Sequence, residues 1–170
     1  FNTQRSTLSP YNNGEERYAY GQLPLTLTRV VAEWTGHSSY DTVYGVGRAL
    51  SALADLGTLV FAWLLARRVF GVRVAHLTSL LLALTVLHIQ LSHYFAVDSF
   101  GACFAAAALS FGQRAWQRES LMDAILAGVL AGLATACKIS ALMLLPVLVL
   151  AFIWPRRGRP STTQLFDGMT

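Results

Sequence analysis

Charge is scarce in this chain. Only 13% of its 170 residues are Asp, Glu, Lys or Arg, against roughly 25% in an average soluble domain. A soluble fold of this size cannot cover its surface with so few charges. Disorder is excluded too, because it needs low hydrophobicity and high charge, whereas here 54% of the residues are hydrophobic and the mean hydropathy is +0.47. Cysteine is almost absent: Cys103 and Cys137 build no disulfide framework and match no metal spacing. Each lies in an apolar run, where an inert buried thiol is expected. The chain has no P-loop, and Gly45-Val46-Gly47 lacks the rest of a dinucleotide fingerprint. No basic segment comes with an aromatic stacking surface, so nucleic acid is not an expected partner.

Apolar length is plentiful. Five runs cover 49–66, 74–91, 99–113, 121–137 and 141–154. The first two, at 18 residues each, would measure about 27 Å as helix, close to a bilayer core of about 30 Å. The breaks between runs differ in charge. Arg67, Arg68 and Arg73 follow the first run, Arg114 and Arg118 the third, and Arg156, Arg157 and Arg159 the fifth. The second break holds no Lys or Arg, and the fourth holds Lys138 alone. Strong and weak positive breaks alternate, as the positive-inside rule requires of a chain that weaves through a membrane. Because 121–154 has basic flanks at both ends, it reads as two short antiparallel helices turning near Lys138.

The predicted fold class is therefore all-α: a polytopic transmembrane helical protein, here a fragment with about five membrane helices preceded by an extracytoplasmic loop. Residues 1–47 form that loop, with three arginines against four acids. Its 24–36 stretch interleaves Leu25, Leu27, Val30, Val31 and Trp34 with polar residues. That pattern suits an amphipathic helix on the membrane surface or a buried loop helix. Residues 48–155 form the transmembrane region, and 156–170 a cytoplasmic polar tail or the start of the next loop. The outer placement of a segment with no apolar span or signal peptide of its own, together with Phe1 in place of Met, leads to the expectation of a further helix before Phe1. In the fourth run Ala124, Gly128, Gly132 and Ala136 recur every four residues, a stripe expected to let a neighbouring helix approach closely.

Three ionisable residues, Arg48, Asp98 and Lys138, fall at the outer end of a span, with His88 and His93 nearby. An anion, two cations and imidazoles gathered at one rim point to a site for a polar or anionic substrate. Each also has a plain structural alternative: Arg48 snorkelling at a helix end, Lys138 capping the fourth helix, Asp98 N-capping the third. His88 and His93 are five residues apart and share a helical face poorly, so a metal site of these two with Asp98 is disfavoured. Asp55 lies seven residues after Arg48 inside the first span, suited to an interhelical hydrogen bond or to a proton or ion path. Glu15-Glu16 reads as a solvated pair in a loop.

Four segments resemble a known family. They are Tyr18-Ala19-Tyr20-Gly21-Gln22-Leu23-Pro24-Leu25, Val46-Gly47-Arg48-Ala49-Leu50-Ser51-Ala52-Leu53, Leu87-His88-Ile89-Gln90-Leu91-Ser92-His93-Tyr94-Phe95-Ala96-Val97-Asp98, and Gly132-Leu133-Ala134-Thr135-Ala136-Cys137-Lys138-Ile139-Ser140-Ala141-Leu142. In this order they resemble the integral-membrane C-type glycosyltransferases, most closely the dolichyl-phosphate-mannose–protein mannosyltransferase-like family. The resemblance implies an enzyme that moves a sugar from a polyprenyl-phosphate donor to an acceptor hydroxyl on a protein, lipid or glycan at the extracytoplasmic face. It implies no nucleotide, and it leaves any divalent metal open. By motif, Asp98 is the catalytic position carried over, and Arg48, Lys138 and His93 are donor-binding positions. The family's acidic base in the first outer loop would precede Phe1, so this stretch alone is expected to be inactive. Gly21 and Gln22 stand where some members carry an acid and a lysine, against a lipid-modifying subtype. The competing expectations are a secondary transporter using Asp55 and the histidines, and a non-catalytic membrane assembly subunit.

Overall fold

The computed structural model describes residues 20–153. Glu15-Glu16 and the basic tail from Arg156 lie outside them. All regular elements among the described residues are helical. They are α1 (Leu23–Trp34), α2 (Tyr40–Phe70), α3 (Val72–Ala83), α4 (Val86–His93), α5 (Val97–Arg118), α6 (Leu121–Cys137) and α7 (Leu144–Ile153), with a 3-10 turn over Ile139–Met143 before α7.

Helix ends follow local chemistry. Pro24 occupies the first turn of α1, where its missing N–H costs nothing. Gly71, at φ +90°, stops α2 and turns the chain into α3. The Ser120 hydroxyl accepts from the Asp123 N–H at 3.3 Å and starts α6.

The helices alternate in direction. Ser51 lies beside Ala96 and Arg68 beside Ser110, so α2 and α5 run parallel. His76 contacts Trp63 while His88 reaches Asp55, so α3 and α4 return along α2. Gly101 faces Cys137 and Gly112 faces Ala127, so α6 returns along α5. Leu148 of α7 joins Ala108 and Ala131 in the core, which reverses the path once more. The turn near Lys138 expected from the sequence is present.

The packing is inverted relative to a water-soluble protein. The buried core is mostly alanine, including Ala107, Ala108, Ala115, Ala127, Ala131 and Ala134. Large apolar side chains face outward: Leu53 is 63% exposed, Leu77 55% and Leu121 76%. Small residues between helices and leucines outside are what a lipid solvent favours, since burying leucine against leucine gains little there. One described helix, Tyr40–Phe70, is by itself long and apolar enough to cross a membrane. The pair α3 and α4 qualifies if counted together, and α6 and the stretch Ile139–Ala151 are shorter apolar helices.

Four local expectations need correction. The helix of the first apolar run, α2, begins at Tyr40, inside the segment assigned to the outer loop, with Asp41 in its first turn where it complements the helix dipole. The second run is not one straight helix: α3 and α4 meet at a 58° bend. There Thr85 takes an extended backbone, φ −69° and ψ 121°, which interrupts the helix, while its hydroxyl donates to the Leu81 carbonyl at 3.0 Å. The fifth run splits into the 3-10 turn and α7. The glycine stripe of α6 is not its contact face. A methyl group on Gly128 or Gly132 would meet nothing within 4 Å, and the buried face is the neighbouring stripe of Asp123, Ala127, Ala131 and Ala134. Alanines of α5 fit against alanines of α6 and leave the glycines outside.

Candidate functional site

The described residues of the four resembling segments meet at one end of the bundle. At the start of α2, Gly47 is covered by the Phe95 ring, and a Cβ there would fall 2.6 Å from it. One turn on, the Ser51 hydroxyl accepts the Ala96 N–H at 3.1 Å. These two contacts fix the chain where it enters α5. Asp98 follows as the second residue of that helix. It is not the N-cap, a position held by Ala96. Its carboxylate nevertheless sits at the positive end of the helix dipole. The Phe100 ring meets Phe95 edge-on at 6.4 Å, and Ser99 and Phe100 are buried beneath the rim.

From the other side comes the C-terminus of α6. Lys138, the only lysine in the 170 residues, is the C-cap residue. Its N–H donates to the Ala134 carbonyl at 3.0 Å, and its extended backbone points the side chain across to α5. Nζ donates to Asp98 Oδ1 at 2.7 Å. The pair is part-exposed, at 40% for Lys138 and 42% for Asp98, so it is open to a ligand. The hydrogen bond to Asp98 pushes the Lys138 ammonium above its ordinary value, against a smaller opposing effect of burial, and the Asp98 charge adds to the rise. Lys138 therefore keeps its charge throughout the neutral range.

A strap covers this corner. Tyr20 pairs with Lys138 in an isolated antiparallel bridge, the Gly21 N–H donates to the Cys137 carbonyl at 2.8 Å, and the Lys138 ammonium lies 5.3 Å from the Tyr20 ring centroid. The strap satisfies one carbonyl that the end of α6 leaves unpaired and places a π face beside the cation. Glycine is required at 21, since a Cβ would lie 1.6 Å from the Ala136 carbonyl oxygen.

The structure thus joins Asp98 with Lys138 and does not bring every candidate to them. The Arg48 guanidinium lies over its own helix's Tyr44 ring, 5.8 Å from the centroid, and among the described residues it forms no ion pair with Asp98. His93 Nδ1 donates to the Ile89 carbonyl at 2.6 Å. His88 turns away to pair with Asp55. No three His, Cys, Asp or Glu side chains gather to hold a metal among the described residues. Tyr20, Ser51 and Phe95 enter the site without having been singled out as site residues. Their only signal was membership in the resembling segments.

The opposite end of the bundle is basic. Arg68 donates to the Ser110 carbonyl at 2.7 Å and to its hydroxyl at 3.0 Å. Arg114 pairs with the buried Asp123 at 3.0 Å, and Arg67 stacks over Trp63 at 5.0 Å. The molecule has an anion–cation rim at one end and an arginine-rich rim at the other.

No curated protein and no solved structure matches the chain. The family described as dolichyl-phosphate-mannose-protein mannosyltransferase matches it over residues 42–166, a span that includes Arg48, His93, Asp98 and Lys138. That match extends over well more than half of the sequence, and the chain belongs to this family of membrane glycosyltransferases.

Proposed function

We propose that the Asp98–Lys138 rim is the donor-binding part of an active site that moves a sugar from a polyprenyl-phosphate carrier to an acceptor hydroxyl at the extracytoplasmic membrane face. The observation that carries this reading is the part-exposed Lys138 ammonium, held on Asp98 and flanked by Tyr20, at the end of the bundle remote from Arg67, Arg68 and Arg114. The chain then crosses the bilayer five times, α3 and α4 making one bent crossing. Residues 1–47 lie outside, with α1 at the interface, and 156–170 lie on the cytoplasmic side.

The chemistry suits these groups. The acceptor oxygen forms a bond to the anomeric carbon as the bond from that carbon to the carrier phosphate breaks. The lipid phosphate leaves with an added negative charge, and the acceptor proton passes to a carboxylate. An ammonium carries three donors. One of the three on Lys138 holds Asp98, and two remain for phosphate oxygens. In an interface where water is partly excluded, such a preset cation stabilises the leaving group more than it would in water. The second oxygen of Asp98 orients the acceptor or the sugar. Arg48 and His93 join the donor site when the long lipid-linked substrate extends along the start of α2 and the end of α4. Acceptor chemistry, whether protein, lipid or glycan, is decided by parts of the site beyond this pair.

The test is donor choice. The full-length protein in liposomes is expected to transfer sugar from a polyprenyl-phosphate sugar and not from a nucleotide sugar. Transfer from the nucleotide sugar with none from the lipid donor would reject the reading. A carrier reading draws on the Asp55–His88 pair and on the bent helix pair, features that transporters also use. Family membership favours transfer.

A further inference from the structure

Asp55 and His88 are joined away from the rim, and the reaction proposed above does not use them. Their side chains are 14% and 19% exposed. A hydrogen bond joins His88 Nδ1 to the Asp55 carboxyl oxygen Oδ1. The pair links α2 to α4, an eight-residue helix that follows the bend at 84–85. A helix this short is marginal unless something pins it.

The position of Asp55 on α2 is informative. Gly47, Ser51 and Asp55 are spaced by four residues and share one face of α2. Each holds the same returning segment: Gly47 seats Phe95, Ser51 accepts from Ala96, and Asp55 takes His88. These are three rungs of one ladder, and the segment they hold leads within two residues into Asp98. The upper two rungs are a ring contact and a single backbone hydrogen bond. The lowest is a hydrogen bond between two side chains, the one rung that ties α4 itself to α2.

We infer that Asp55 and His88 are positioning residues for sugar transfer: their pairing sets α4 on α2 and thereby aims Asp98 at Lys138. This rests on the rim being the active site. Without the pair, α4 is free to slide, Asp98 leaves the reach of Lys138, and the reaction slows while the donor still finds the lysine. A displacement of about 1 Å at reacting groups costs about 10²-fold in rate.

The experiment uses the full-length protein in liposomes with a polyprenyl-phosphate sugar, and nitroxide labels at the exposed positions Leu53→Cys and Ile89→Cys to report the α2–α4 distance. His88→Ala is expected to lower kcat by about 10²-fold with the donor KM retained, and to broaden the distance distribution. His88→Asn, whose amide can donate to Asp55 from nearly the same place, is expected to recover both. If the alanine variant fails to insert, the exchange Asp55→His with His88→Asp decides: recovery of transfer and of a narrow distance supports the pairing, and failure of both overturns it. Unchanged kcat and distance in His88→Ala would overturn it as well, as would a lowered kcat with an unchanged distance. Lys138→Ala run alongside separates the two claims. Loss of transfer there with an unaffected His88→Ala removes only the positioning role. Retained transfer in Lys138→Ala removes the active-site reading, and the distance measurement still reports whether the pair sets α4.

Discussion

Lys138→Ala in the full-length protein is expected to reduce sugar transfer from a polyprenyl-phosphate donor by about 10²-fold or more, the usual cost of removing one preset electrostatic donor from an active site. Asp98→Asn is expected to do the same by a different route. It keeps the size of the side chain and removes the charge that holds Lys138 at 2.7 Å, so the ammonium loses its fixed direction. Both variants should still insert, because the pair is part-exposed and the alanine core lies elsewhere. The sign of the pH effect follows from the raised Lys138 value. A lysine shifted upward on folding contributes its pairing fully at lower pH and loses it only as pH rises through the shifted value. Titration of Lys138 therefore does not weaken transfer between neutral pH and the ordinary lysine range. A steady-state assay of the wild-type protein and both variants from pH 6 to 9, roughly the range between histidine and lysine titration, checks this. Wild-type rates in either variant would contradict the assignment of the pair.

Gly21→Ala is expected to be nearly as damaging, although Gly21 carries no chemistry. The added Cβ would stand 1.6 Å from the Ala136 oxygen and 2.4 Å from its carbonyl carbon. Both atoms belong to the backbone of α6 and cannot rotate away, so the strap must lift. Lifting it breaks the Gly21 bond to Cys137 and withdraws Tyr20 from Lys138. Transfer should fall by at least about tenfold, the factor that corresponds to about 1.4 kcal/mol of lost organisation, while the helical bundle stays in the membrane. Gly132→Ala is the matched control, since nothing lies within 4 Å of its added Cβ. It should leave transfer unchanged and slightly raise the melting temperature, because alanine is the better helix former. Equal behaviour of the two variants in transfer and in thermal melting would show that the strap does not shape the site.

Much of this architecture was legible in the residues. Composition indicated an all-helical membrane-type chain, and the run 121–137 coincides with α6 because Ser120 caps its start and Lys138 ends it. The helix expected over 24–36 is α1. Asp98 and Lys138, 40 residues apart, were brought together on paper by the alternation of charged breaks, and they pair in the fold. Other features were hidden for physical reasons. The apolar pattern runs on through 84–85, so hydropathy gives no sign of the bend made where Thr85 leaves the helical conformation. Two small-residue stripes compete on α6, and spacing alone does not say which faces α5. The strap at Tyr20-Gly21 is a backbone contact made across more than a hundred residues, for which a sequence carries no periodic signal. Arg48, expected at a helix end, lies two turns inside α2 and turns to Tyr44, a rotamer choice no pattern encodes.

An extracytoplasmic active site at the Asp98–Lys138 rim requires that rim and the arginine rim to lie on opposite sides of a membrane. Single cysteines at Tyr94, exposed beside the site, and at Arg118, at the far end of α5, test this in intact cells with a membrane-impermeant maleimide. The expected result is labelling of Tyr94→Cys from outside and of Arg118→Cys only after the membrane is opened. Labelling of both from the same compartment in unopened cells would contradict the account.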